Sequence, residues 1–512
     1  MKNRWSDRDA RASGRRYAKQ GVSRDVALRV YTSRLLGGEP TLVLHGGGNT
    51  SVKTTMTDVL GQKTDVLCIK GSGRDLGTIE PEGLPALRLG PLREMAGLKR
   101  LSDRDMVNAQ RVNLLDSTSP DPSVEMLLHA FLPHKFIDHT HADAVLALTD
   151  QANGEALCKR VFGGRLGLVP TLMPGFGLAR KALEVYEAAP EVEGLILLKH
   201  GIFTFGDTAK EAYSRMIRAV SLAEKRIRKG RRKSFAAARL PGKTATVAEV
   251  APILRGLCTD GGKRLVLDFR SGAKVLNYVG GRDLSRYSQQ GPVTPDHVIR
   301  TKAKPLIAPV PEAGGLDAFQ KGTAKALARY VRDYQAYARR HGRRRKTPKA
   351  GIDPLPRVIL VPGLGLFGLG PTARDAAIAA DIAETTAAVI AAAEAVGRFE
   401  SIPEADLFDT ETWPLERAKL DGAGEGPLIG HVAVVTGGAS GIGAATAQAF
   451  AEKGAEVAVL DKDVKAADRV AAAIGGLGIG CDVTDAGQVR RAFDLVARTF
   501  EIGRATRLNS SH

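Results

Sequence analysis

Residues 431–463, HVAVVTGGASGIGAATAQAFAEKGAEVAVLDKD, constrain the fold more than any other stretch of the chain. A five-residue apolar run, Val432–Thr436, leads into Gly437, Gly441 and Gly443 and then into an alanine-rich, helix-like segment. A second apolar run, EVAVLD, ends in Asp461. Strand, glycine turn, helix and strand in this order make a βαβ unit, so this end of the chain reads as α/β.

The same residues carry a chemical implication. Glycines at the first turn let a pyrophosphate approach the helix N-terminus, and an acid closing the second strand can bind both ribose hydroxyls. Asp461 would repel a 2′-phosphate, which favours NAD over NADP.

With 512 residues the chain is too long for one core, so two to four domains are expected. Residues 1–240 alternate helix-like and strand-like segments, with helices expected near 23–36 and over 123–132 and TLVLHGGGNTSVK reading as strand, glycine turn and strand, and 241–420 continue this after an LPGKTA break. DGAGEGP at 421–427 is a glycine-rich hinge, 428–500 hold the βαβ unit, and 501–512 form an aberrant tail. The net charge of +18 (74 basic against 56 acidic residues) raises nucleic-acid binding as one reading. The basic residues are mostly dispersed, with runs only at 225–233 and 339–349, both behind helix-like segments. A positive field that attracts phosphorylated metabolites, or plain arginine-rich composition, is the preferred explanation.

The N-terminus has no apolar core of a secretory signal, and Asp7 and Asp9 count against a transit peptide. No run of about 18 apolar residues suggests a membrane span. The four cysteines are scattered without CxxC spacing, which fits a reducing compartment. The expectation is a cytoplasmic protein without a membrane partner.

HTHADAVLALTD, residues 139–150, places two imidazoles at the head of an apolar run. On a strand, His139 and His141 share one face, with Thr140 on the other. Two charged imidazoles would repel there, and two buried neutral ones need partners. A divalent cation satisfies both through neutral nitrogen lone pairs, whereas paired polar or surface histidines are the plainer alternative. LILLKHGIFTFG puts His200 at the end of a strongly apolar strand, another costly position for an unpartnered ring. DPSVEMLLH sets Glu125 and His129 four apart on one helix face, either aimed at something specific or standing as an exposed i,i+4 pair. Three imidazoles, a carboxylate and an open position describe a catalytic zinc site. Such an ion polarises a carbonyl and stabilises the adjacent enediolate, while a carboxylate moves protons.

Glycine turns lie upstream. HGGGNTS at 45–51 and GSG at 71–73 expose backbone N–H groups, with Asn49, Thr50, Ser51 and Ser72 as further donors. They are either simple turns or concavities for phosphate, to which Ser123 adds a hydroxyl and a helix start.

An internal echo links the first two blocks. GIFTFGDTAKEA (201–212) aligns without gaps to GLFGLGPTARDA (365–376), with identities at Gly201, Phe203, Gly206, Thr208, Ala209 and Ala212. Thr208 with Glu211, and Thr372 with Asp375, have N-cap and N3 spacing. His200 is matched by Leu364. The alternatives are a degenerate, metal-free copy of the first block's second half, or two ordinary strand–turn–helix units.

In their order, GGGNTSVK, GSG, PSVE…H, HTH and KHG over residues 25–230 resemble the class II aldolases of the adducin-like superfamily. The resemblance implies an α/β/α fold, a zinc ion held by His139, His141 and His200, and Glu125 as acid/base and resting-state ligand. It implies a substrate phosphate held by Gly48, Asn49, Ser72, Gly73 and Ser123, and a homo-oligomer. Adducin itself lacks the metal histidines, so their presence counts against a non-catalytic scaffold.

TGxxxGxG with CDVTD at 481–485 is similar to short-chain dehydrogenases. This implies the N-terminal half of a Rossmann domain, with NAD held by Gly437, Ser440, Gly441, Ile442, Gly443, Asp461, Asp482 and Val483. The family's next strand and its Ser, Tyr and Lys residues have no counterpart here, so dehydrogenase activity of this chain is expected to be absent. The whole order resembles the bifunctional rhamnulose-1-phosphate aldolase/alcohol dehydrogenase family. That implies zinc-dependent retro-aldol cleavage of a ketose 1-phosphate, rhamnulose 1-phosphate being favoured, to dihydroxyacetone phosphate and lactaldehyde. Sugar-phosphate epimerases or dehydratases on the same metal site are the alternative.

Overall fold

The computed structural model describes residues 1–230, 235–259, 264–345, 353–420 and 426–500. Most of the expected hinge at 421–427 and all of the tail at 501–512 lie outside them. The chain divides into two compact units, one made of Met1–Lys233, Gly291–Asp296 and Val389–Lys419, the other of Ser234–Gln290, His297–Ala388 and Leu420–His512. Segments 291–296 and 389–419, which the sequence places in the middle block, therefore pack with the first.

The first unit is built on seven strands, β1 (Asn49–Thr57), β2 (Lys63–Ile69), β3 (Ala86–Arg88), β4 (Phe136–Thr140), β5 (Leu166–Val169), β6 (Gly194–Leu197) and β7 (Gly201–Gly206). Their order in the sheet is β3-β2-β1-β4-β7-β6-β5, antiparallel except for the β5–β6 pair. Helices cover both faces. Leu67, Ile137, Leu195 and Phe203 join one core with Leu127 and Leu128, while Val52, Val66 and Phe136 pack with Val26, Ala27 and Val30 on the other face. This sandwiching explains why β7 is buried along its whole length and reads as a continuous apolar run.

Residues 24–37 form the expected helix, capped by the Ser23 hydroxyl, which accepts from the Val26 amide. The apolar run Thr41–Leu44 does not form the expected strand. β1, the strand that follows it, already has β2 on one side and β4 on the other, so the run has no place beside its neighbour in sequence. The helix expected over 123–132 is shorter, Met126–Phe131, with Glu125 as its N-cap residue.

The second unit holds two sheets. The first comprises β8 (Val266–Arg270), β9 (Leu306–Ile307), β10 (Val358–Val361) and β11 (Gly365–Gly370), in the order β8-β11-β10-β9. This is the order β4-β7-β6-β5 again. The registers agree as well: Leu195 faces Phe203 and Leu197 faces Gly201, as Ile359 faces Phe367 and Val361 faces Gly365. Asp138 faces Thr204 as Asp268 faces Gly368. The turns match too, with Lys199 at φ 59° and Gly363 at φ 81°. Both following helices, Ala209–Arg228 and Ala373–Val396, start from a threonine whose hydroxyl accepts from the N3 amide, at 3.2 Å from Glu211 and 3.1 Å from Asp375. The second of these helices is apolar and long enough to cross a membrane by length and composition, which the sequence reading did not register, and 56% of its most apolar window is buried.

The other sheet is parallel, with β12 (Val432–Thr436), β13 (Glu456–Asp461) and β14 (Leu477–Gly480) in that order. The helix Gly441–Glu452 follows the glycine turn. A side chain at Gly443 would place its Cβ 2.1 Å from the Gly437 carbonyl oxygen, so only glycine permits this close approach of turn and helix.

Candidate active site

β4 delivers the first two histidines. His139 lies in β4 and His141 just past its end, and their Nε2 atoms are 3.1 Å apart on one side of the sheet. His200 sits in the turn between β6 and β7, not on the strand the sequence suggested. Among the described residues, one ligand atom from each of the three imidazoles lies within 4.8 Å of the other two. The three rings are almost wholly shielded from solvent.

The tautomers follow from the partners. His139 Nδ1 donates to the Ile202 carbonyl at 3.1 Å, which leaves the Nε2 lone pair turned towards the other rings. Burial pushes His139 down to about 4, so it is neutral at physiological pH. Its ring stacks on Phe203 at a centroid distance of 4.1 Å, which fixes its plane. Neutral nitrogen lone pairs converging in a dry site repel unless a cation lies between them.

Glu125 stands beside this cluster, with Oε2 at 3.4 Å from His139 Nε2 and Oε1 at 3.7 Å from His200 Nε2. Oε1 is buried without a hydrogen-bond partner among the described residues. The donor set thus fits a divalent ion: three imidazole nitrogens, with a carboxylate oxygen left over next to them.

A chain of hydrogen bonds sets the Glu125 carboxylate. The Asn49 side-chain N–H donates to Glu125 Oε2 at 2.7 Å and to the Ser123 hydroxyl at 3.0 Å. Its amide oxygen therefore accepts from His129 Nε2, and His129 Nδ1 accepts from the Ser51 hydroxyl at 2.8 Å. His129 is completely buried, so the alternative of an exposed Glu125–His129 pair does not hold. Burial holds its ring well below the ordinary histidine range, which keeps it neutral in this relay.

The anion-site expectation gathers in the same place. Gly48, Asn49, Ser72, Gly73 and Ser123 line one pocket together with Glu125. Gly48 and Gly73 are at φ 57° and 70°, values that glycine adopts without strain. Lys70, Asp296, Glu416 and Lys419 line the pocket as well, and sequence reasoning missed all four. Lys70 Nζ donates to the Gly46 and Arg74 carbonyls, and burial, aided by the charge of Lys419, lowers it to about 7. Asp296 reaches the cluster from the far side, 3.9 Å from both His141 Nε2 and His200 Nε2. The Thr294 hydroxyl donates to the His200 carbonyl at 3.1 Å and ties this segment to the histidine turn.

The residues expected to hold NAD assemble only in part around one turn. Gly437 and Gly441 take positive φ values of 63° and 51°, and Ser440 is the N-cap residue before Gly441, Ile442 and Gly443. Asp461 closes β13, and its carboxylate accepts from the Ala439 and Asp463 amides at 3.1 Å each. Those bonds hold it below the usual carboxylate range. Ile442 is 88% and Val483 56% exposed, so two apolar side chains of this set face solvent. Asp482 accepts from the Thr484 amide and hydroxyl, which shapes the turn after β14.

Comparison with known proteins agrees with this layout. Residues 27–227 match the family described as Class II Aldolase and Adducin N-terminal domain. Residues 245–420 match Aldolase class II, second domain, and 431–504 match short chain dehydrogenase. The uncharacterized oxidoreductase YuxG of Bacillus subtilis (strain 168) is 33% identical over 487 residues, which span 92% of this chain and 70% of the relative. The chain belongs to that family. Its members join class II aldolase domains to a short-chain dehydrogenase domain, the dehydrogenase part being partial in this chain. D-threitol dehydrogenase of Mycolicibacterium smegmatis is 50% identical over 78 residues, 14% of this chain and 30% of its own length. Against such dehydrogenases the chain thus spans under a third of the relative. The solved N-terminal class II aldolase domain of a conserved protein from Thermoplasma acidophilum is 40% identical and covers 44% of this chain and 98% of its own, with a TM-score of 0.39.

Proposed function

We propose that the first unit is a metal-dependent lyase that cleaves a ketose 1-phosphate to dihydroxyacetone phosphate and an aldehyde. Rhamnulose 1-phosphate, giving lactaldehyde, is the favoured substrate. The observation that carries this reading is that Glu125 joins the two halves of the site. It stands within 3.7 Å of two histidine nitrogens and lines the pocket that gathers the phosphate-type donors.

A zinc ion, when bound by His139, His141 and His200, would supply a Lewis acid for the substrate carbonyl and for the negative charge that develops on it. The chain's own groups do the rest. The 46–49 and 71–73 turns and Ser123 hold the phosphate through neutral donors and fix how far the carbon chain extends towards the histidines. In cleavage the C3–C4 bond breaks, the C4 hydroxyl loses its proton, and C3 of the three-carbon fragment gains one. Glu125, oriented by Asn49, is placed to accept and return that proton. The enclosed site limits water that would otherwise compete for it.

The partner is a phosphorylated sugar, and the working form is a homo-oligomer. Gly437, Ser440, Gly441, Ile442, Gly443, Asp461, Asp482 and Val483 are the NAD-contacting residues of the dehydrogenase segment in this reading. The test is a cleavage screen of ketose 1-phosphates with the zinc-loaded full chain, reading dihydroxyacetone phosphate. Release that stops on chelation and returns with zinc is the expected result. Absence of dihydroxyacetone phosphate from every ketose 1-phosphate would overturn the proposal.

A further inference from the structure

Three charged side chains in the pocket come from far along the chain. Asp296 belongs to the 291–296 segment, and Glu416 and Lys419 to the end of 389–419. This second segment is anchored rather than loosely apposed. Trp413 is in the apolar core, and its indole N–H donates to Asp103 at 2.8 Å. The backbone of Lys419 lies directly over the 71–73 turn, since a Cβ on Gly73 would stand 3.9 Å from Lys419 Cα. From there its ammonium extends towards the histidines, donating to Glu416 at 2.7 Å and standing 3.6 Å from Asp296. Lys419 thus bridges the phosphate-type turn and the metal-type cluster.

A largely shielded ammonium, as at Lys419, is costly and needs compensation. Glu416 supplies a direct hydrogen bond, and Asp296 stands just beyond hydrogen-bond length. A dianion that entered between the two turns would meet this ammonium where the 71–73 turn and the histidine cluster come together. Gly48, Asn49, Ser72, Gly73 and Ser123 are neutral, so within the pocket Lys70 and Lys419 alone can bring positive charge to it.

We propose that Lys419 is a substrate-binding residue whose ammonium, positioned by Glu416 and Asp296, pairs with the phosphate group of the substrate. The proposal rests on the lyase reading for the identity of the substrate, and on geometry alone for the binding of the anion. The two carboxylates outweigh burial and hold Lys419 above the ordinary lysine range, so it acts as a fixed charge and not as a proton donor.

The test uses the zinc-loaded full chain and inorganic phosphate as probe. Calorimetry is expected to show phosphate binding weakened about tenfold or more in Lys419→Met, the effect of losing one charge-assisted hydrogen bond. Lys419→Arg should recover most of it, with zinc content unchanged in both. A merely structural role would not show this rescue by charge. Wild-type protein supplies a second measurement that needs no variant: phosphate should slow acetylation of Lys419, read by mass spectrometry, while leaving exposed Lys2 unaffected. Unchanged phosphate affinity in Lys419→Met, or no protection of Lys419, overturns the proposal. Should the sugar-phosphate screen fail while Lys419-dependent phosphate binding persists, the lyase reading falls and this one stands. If cleavage occurs and Lys419→Met leaves KM unchanged, the reverse holds.

Discussion

The half-sheet β4-β7-β6-β5 and the sheet β8-β11-β10-β9 share strand order, register and hairpin turn, yet among the described residues the histidine cluster sits on the first alone. His139 pairs across the ladder with Phe203, and at the matching place Phe269 pairs with Phe367. The imidazole stacks on its phenylalanine at 15°, whereas the two phenylalanines of the second sheet are tilted by 45°. Ser271 stands where β4 is followed by His141, and Leu364 where the turn carries His200. The same backbone therefore tolerates either three histidines or Phe, Ser and Leu at the three positions. Strand pairing and apolar periodicity hold the fold, and the site is an addition to it.

Several substitutions sharpen or break this comparison. The largest effect is expected from His139→Phe, which gives the first half the residue of the second. Cleavage should fall about 1,000-fold or more, since an electrophilic ion contributes several kcal/mol. The sheet should survive, as Phe269 does in its own, and circular dichroism beside the cleavage assay checks both. Glu125→Gln keeps size and hydrogen bonding but removes the charge, and should lower kcat roughly 100- to 10,000-fold with zinc retained. An equal loss of zinc would assign Glu125 to metal holding instead.

Lys70, which follows β2 and lines the pocket, offers a pH test of the half that carries the histidine cluster. It releases its proton near pH 7 in the folded chain but near 10.5 when unfolded. Between these values the unfolded state binds more protons, so the Lys70 contribution makes stability rise with pH across that window. Thermal midpoints of wild type should show that rise relative to Lys70→Met, in which it is absent. The smallest expected effect is at the second hairpin. Gly363→Ala places a Cβ at φ 81° and 3.1 Å from Thr244, and should cost about 1–2 kcal/mol in urea unfolding. The equivalent Lys199 already bears such strain at φ 59°.

What the sequence made legible was local. His139, His141, Glu125 and the two glycine turns could be read because each sits in a short pattern whose spacing fixes which face it shares. The hairpin echo of 201–212 and 365–376 anticipated the repeated register for the same reason. The extra strand at 41–44 was misread because apolar composition says nothing about whether a sheet edge is free. Asp296, Glu416 and Lys419 were invisible as site residues: they reach the pocket by packing from GPVTPD and PLERAK, far along the chain, and no local spacing ties either stretch to the histidines. Acidic residues after a proline-rich break were the faint sign available.

The most direct measurement is the metal content of the purified full chain after dialysis against dilute zinc, beside the His139→Phe protein. One zinc per chain in wild type and none in the variant is the expected result. A wild-type chain that retains no zinc, or a variant that retains as much, would contradict the metal-dependent site.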